Sequence, residues 1–157
     1  MLKKFISRIL RRRRIIAGFT LPEILLSLSL LAIIGGMIIP MYRTFLIRND
    51  LDIAATTVAQ SLRRAQAQAQ AADGDTTWGV HVGVGSILVF KGVNYILRDS
   101  AFDENTSMPT TIVPTGLSEI VFAKTTGIPS ATGTCMLTSQ TNETRTITIN
   151  EKGTVDY

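Results

Sequence analysis

Residues 24–41 form 18 consecutive positions without a charge. At about 1.5 Å per residue that run is about 27 Å long, and the residues just before it make it long enough to span a bilayer's apolar core. Such a run is either buried all round in a protein core or placed in lipid. A chain of 157 residues suits one membrane span plus one small domain, and the flanking charges favour lipid. Seven of the 16 basic residues precede Phe19, namely Lys3, Lys4, Arg8, Arg11, Arg12, Arg13 and Arg14, and no acid lies among them. The positive-inside bias therefore puts residues 1–18 in the cytoplasm and the C-terminal part outside, in a single pass.

The same asymmetry explains the sequence pI of about 9.6. From Phe19 onward nine basic residues face 12 acidic ones, a net charge of −3. The basic pI reports a tail and does not by itself point to nucleic acid. Within the apolar run, Gly35, Gly36 and Pro40 weaken the helical hydrogen-bond ladder, so a soft point is expected there. Glu23 stands at the edge of the run. A carboxylate there needs a partner or a functional reason, unless it sits at headgroup level.

Beyond the span, Leu51, Ala54, Val58, Leu62, Ala65 and Ala69 recur at spacings of three and four and form one apolar helical stripe. No strong stop separates this stretch from the span, so one long helix is expected. After Asp73-Gly74-Asp75, a turn signal, the period changes to two. Residues 77–82, 86–90, 94–98, 119–123, 135–138, 145–150 and 154–157 are expected as strands, and residues 99–117 and 124–133 as loops. The expected fold is α+β: a long N-terminal helix, membrane-spanning in its first half and amphipathic in its second, packed on an antiparallel β-sheet.

No catalytic constellation accompanies these elements. Gly83-Val84-Gly85 lacks the third glycine of a dinucleotide fingerprint and leads into a strand. His81 has no Cys or Ser partner by spacing, and a surface or satisfied core histidine is its default reading. The single Cys135 allows no intrachain disulfide and reads as a small buried hydrophobe. The loop acids Asp73, Asp75, Asp99, Asp103 and Glu104 lack calcium-loop spacing. No metal, cofactor or enzymatic activity is expected.

Gly18-Phe19-Thr20-Leu21-Pro22-Glu23, followed by Ile24-Leu25-Leu26 and preceded by the basic leader, resembles the cleavage and methylation signal of type IV prepilins and type II secretion pseudopilins. Pro40 falls where many pilins carry a proline. Pro22 departs from the commoner isoleucine or leucine, and proline is sterically acceptable in a first helical turn. Ile120-Val121-Phe122, Gly127-Ile128-Pro129, Thr146-Ile147-Thr148-Ile149, Gly153-Thr154-Val155 and Leu62-Arg63-Arg64-Ala65-Gln66 resemble the domain of H-type pseudopilins and FimT-like minor pilins.

The resemblance implies processing between Gly18 and Phe19 by a prepilin peptidase, N-methylation of Phe19, and assembly through Phe19 and Glu23 of neighbouring subunits. Gly35, Gly36 and Pro40 would be where the helix loosens on assembly. It implies four segments: a cleaved leader (1–18), a transmembrane and assembly half-helix (19–42), an amphipathic half-helix (43–73) and an extracytoplasmic β-rich domain (74–157). The implied partners are other pilin or pseudopilin subunits, the peptidase, an inner-membrane assembly platform and membrane lipid. The implied location is the inner membrane and then a pilus or pseudopilus. The function expected is that of a structural, minor subunit. A DNA-binding minor pilin of a competence pilus is the alternative. It requires a basic patch, whereas Lys91, Arg98, Lys124, Arg145 and Lys152 are scattered among acids. A signal-anchored enzyme is a third class, and no nucleophile or acid–base pair supports it.

Overall fold

The computed structural model describes residues 18–157, without the side chains of 38–40. Residues 1–17, and with them the leader before Gly18, lie outside the described residues. One helix, α1, spans Leu21–Gln70. Eight strands follow: β1 (Trp78–Gly83), β2 (Ser86–Lys91), β3 (Asp99–Ser107), β4 (Val113–Gly116), β5 (Glu119–Phe122), β6 (Gly133–Thr138), β7 (Thr144–Ile149) and β8 (Val155–Asp156). The chain divides into two compact units, Met1–Pro40 and Met41–Tyr157.

In the first unit the described part of α1 buries no side chain. Its most apolar 18-residue window has a mean hydropathy of 2.4, long and apolar enough to cross a membrane. Its two hydroxyls are satisfied within the helix: Ser27 donates to the carbonyl of Glu23 and Ser29 to that of Leu26, both at 2.8 Å. Back-bonding of this kind removes the cost of a free hydroxyl in an apolar medium.

The second unit is built on the amphipathic stripe. Leu51, Ala54, Val58, Leu62, Ala65 and Ala69 are all buried, joined by Ala55 and Ala59. They form one core with Val80 and Val82 of β1, Ile87 and Val89 of β2, Ile120 and Phe122 of β5, Cys135 and Leu137 of β6, and Ile147 and Ile149 of β7. Alanine dominates the stripe because small side chains let the backbone of α1 approach the strands closely.

Two antiparallel four-stranded sheets replace the single sheet expected. Their orders are β3-β2-β1-β5 and β4-β6-β7-β8. Two further expectations are corrected. Residues 94–98 are not a strand. Asn94 accepts the Leu97 N–H on its side-chain oxygen at 2.7 Å, closing a turn, and the Tyr95 ring packs over Leu88, Phe90 and Val121 on the outer face of the first sheet. The apolar alternation there serves a loop that covers a sheet. Conversely, residues 99–117 contain β3 and β4, each paired on one side only, with β2 and β6 respectively. Edge strands bury little and are rich in polar side chains, so their sequences carry no apolar period.

The C-terminal turn of α1 is held by backbone and glutamine contacts rather than by basic residues. Thr125 N–H donates to the Ala69 carbonyl at 2.8 Å, satisfying one of the carbonyls left free at a helix end. Gln66 Nε2 donates to the carbonyls of Gly127 and Lys152 at 3.1 and 3.2 Å. Gly127 and Gly153 have φ of +66° and +77°. A Cβ on Gly127 would lie 2.6 Å from Gln70, and one on Gly153 2.3 Å from Gln66 Nε2. Both positions need glycine for conformation and for space.

Candidate functional site

Thr20 opens α1. Its carbonyl accepts the N–H groups of Glu23 and Ile24, both at 3.1 Å. Its own N–H points to Glu23 Oε2 at 3.4 Å. Thr20-Leu21-Pro22-Glu23 thus has the spacing of a capping box, in which a carboxylate three residues into the helix reaches back to the N-cap N–H. Pro22 lies in the first turn, where backbone N–H groups have no partner within the helix, so its missing donor costs nothing there. The sequence reading missed this local role for Glu23, although the T-x-x-E spacing was its signal.

The box occupies the Glu23 carboxylate only weakly. Its one hydrogen bond among the described residues is long, and the side chain is exposed. Oxygen lone pairs therefore remain for a charged donor, which would bind at shorter distance and more strongly. Phe19 is 76% exposed and Leu21 72%. Gly18, Phe19 and Glu23 are thus together at one helix end. Farther along, α1 is helical through Gly35, Gly36 and Pro40, and a Cβ on either glycine would touch nothing.

In the second unit the cysteine and the histidine are absorbed into structure. Cys135 is fully buried and its thiol is pushed up to about 11 by burial, which leaves little thiolate at neutral pH. His81 stacks on Tyr95 with ring centroids 4.0 Å apart, and its Nδ1 is buried without a hydrogen-bond partner. It is therefore half-buried packing, neither the surface nor the satisfied core histidine expected. No group of three or more His, Cys, Asp or Glu is placed to hold a metal among the described residues.

Four of the basic residues of this unit are engaged by acids or a ring. Arg98 binds Asp103 at 2.9 Å, and this hydrogen bond holds the guanidinium above its usual range. Lys124 pairs with Asp75, whose carboxyl its hydrogen bond holds below the usual carboxylate range. Arg145 pairs with Asp52 at 2.6 Å. Lys91 lies 4.0 Å over the Phe102 ring. These contacts spread the positive charge over separate acids and rings, whereas phosphate binding relies on convergent cations.

No family model matches the sequence, and no curated protein matches it. Among solved structures, the minor pseudopilin EpsH from the Type 2 Secretion System of Vibrio cholerae is similar in fold. The TM-score is 0.51 at 15% identity, covering 68% of this chain and 94% of that one. The long N-terminal helix packed on antiparallel sheets is thus a pseudopilin-like fold.

Proposed function

We propose that this chain is a structural, non-enzymatic subunit of the minor class in a type IV pilus or type II secretion pseudopilus. In this reading it is held in the inner membrane by the first part of α1, with the β-rich domain outside the cytoplasm. A prepilin peptidase cuts between Gly18 and Phe19, and the new amino group of Phe19 is methylated. The subunit then moves from membrane to filament through an assembly platform.

One observation carries this reading: an apolar helix that buries none of its described side chains in the first unit is joined in one chain to a pseudopilin-like domain. A surface so apolar requires lipid or other helices around it. The weakly engaged Glu23 carboxylate supplies the orientation. In apolar surroundings, a neighbouring Phe19 ammonium would satisfy it and fix axial register, which uniform apolar helices cannot do. Gly35, Gly36 and Pro40 supply the place where the helix loosens as lipid is exchanged for neighbouring subunits.

The test is the variant Glu23→Ala, expressed with the cognate peptidase and assembly platform. The expected result is a subunit cleaved and retained in the membrane fraction, with incorporation into sheared filaments reduced at least about tenfold, as loss of a buried charge partner implies. Incorporation equal to that of the parent chain would remove the assembly role of Glu23.

A further inference from the structure

Near its entry into the domain, α1 carries three charged residues on alternate positions, Arg48, Asp50 and Asp52. Two are matched across more than 90 residues of sequence. Arg48 Nε binds Glu143 Oε1 at 2.8 Å, and Asp52 Oδ1 accepts from Arg145 Nε at 2.6 Å. The Asp50 carboxylate, between them, has no hydrogen bond or ion pair among the described residues. It is half-buried and lines a cavity of about 120 Å³ with Ile47, Thr111, Ile112, Ser139 and Gln140.

The lining defines the complementary group. The Ser139 hydroxyl is already engaged, with Thr141 at 3.0 Å and the Glu143 N–H at 3.2 Å. The Asp50 carboxylate, the Thr111 hydroxyl and the Gln140 amide oxygen remain as acceptors. Ile47 and Ile112 supply apolar wall. Acceptors at one end and alkyl contact beside them suit a multi-donor cation on a hydrocarbon stem, which is the side chain of arginine or lysine. The cavity is well above the roughly 10–15 Å³ that one water needs on this measure, enough for the charged end of such a side chain. A carboxylate drawn partly out of water is unfavourable until a cation meets it.

The chain carries the matching cation. Arg43 is exposed, and its guanidinium has no ion pair or hydrogen bond among the described residues. It precedes Asp50 by seven residues, about 10.5 Å along the helix and on the same side. We propose that the Asp50 cavity receives the Arg43 guanidinium of a second copy of this chain. Between the parallel neighbours of a filament, one copy offers the cavity and the next the arginine, so the contact there is heterologous. Such a contact propagates into an open assembly instead of closing as a symmetric dimer, and two adjoining copies are enough to form it. This inference rests on the filament reading above.

Disulfide trapping of the full chain in membranes tests it, with Arg43→Cys and Asp50→Cys combined and Cys135 retained. Within one copy the two positions lie too far apart for a disulfide. Mild oxidation is expected to give a ladder of dimers and higher species from the double variant and none from either single variant. The single variants also exclude trapping through Cys135. Bands from one single variant alone, or no bands from the double variant, would overturn the proposal. The charge exchange Arg43→Asp with Asp50→Arg supplies a second arm. Asp50→Arg alone should lower filament incorporation at least about tenfold, and the exchange should restore it; failure to restore also counts against the contact. The N-terminal mass of the same samples separates the two readings. An uncleaved leader with a ladder would sink the proposed function and leave the contact. Cleavage without a ladder would do the reverse.

Discussion

Gln66 of α1 donates to the carbonyl of Gly127 at 3.1 Å, through the same Nε2 that a Cβ on Gly153 would approach to 2.3 Å. One helical side chain thereby joins two loops, and both loops carry glycines in the left-handed region. The Gly127-Ile128-Pro129 and Gly153-Thr154-Val155 segments acquire a physical reason from this arrangement. Both are places where α1 comes close to loop backbone.

Gly153→Ala should therefore lower stability by about 1–3 kcal/mol through backbone strain and displacement of Gln66. Thermal unfolding of the detergent-solubilised chain measures it. Combining Gly153→Ala with Gln66→Ala should cost less than the sum of the two, because the clash is shared. Strict additivity would show that strain alone is responsible.

The buried stripe makes a second expectation. Leu62 is fully buried and belongs to the core that both sheets share. Leu62→Ala should cost about 2–5 kcal/mol by lost transfer energy and residual cavity. Ile53→Ala, at an exposed position of the same helix, should change stability by less than about 0.5 kcal/mol. Denaturant titrations of both variants make the comparison.

This stripe was the most legible part of the chain. Helical periodicity depends on a few residues at fixed spacing, and Leu51, Ala54, Val58, Leu62, Ala65 and Ala69 supply it without outside help. The edge strands β3 and β4 were not legible, since a strand paired on one side and exposed on the other has no apolar alternation to read. Residues 94–98 misled for the opposite reason: Tyr95 supplies an apolar signal in order to cover a sheet from a turn. At the helix start, the T-x-x-E spacing carried the capping geometry of Thr20 and Glu23, which went unread. The charges around Asp50 could not be read at all. Whether Arg48, Asp50 or Asp52 finds a partner depends on Glu143 and Arg145, which the fold brings in from more than 90 residues away.

Cys135 gives an expectation in pH. Burial raises its thiol from 9.0 to about 11. A group whose folded value lies above its unfolded value stabilises fully below the unfolded value, and that contribution is lost as pH rises through the folded one. The Cys135 contribution should thus hold at neutral pH and fall between about pH 9 and pH 11. Replacement by alanine should flatten this part of the profile. At pH 8 the native thiol should resist iodoacetamide and react promptly once the chain is unfolded.

The ion pairs between α1 and β7 or its preceding turn are more modest. Arg48–Glu143 and Asp52–Arg145 are partly exposed, so each should contribute less than about 1 kcal/mol. Glu143→Gln should show its small loss at low salt and almost none at 1 M salt, where the Debye length falls to about 3 Å. A salt-independent loss would point to packing instead of charge.

The proposed function requires α1 to begin, in the working protein, at a newly made amino terminus beside Glu23. The most direct measurement is the intact mass and N-terminal peptide of the chain purified from membranes containing a prepilin peptidase. The expected result is a mature chain starting at Phe19, one methyl group heavier than the bare peptide. A chain that still carries residues 1–18 in the presence of active peptidase would contradict it.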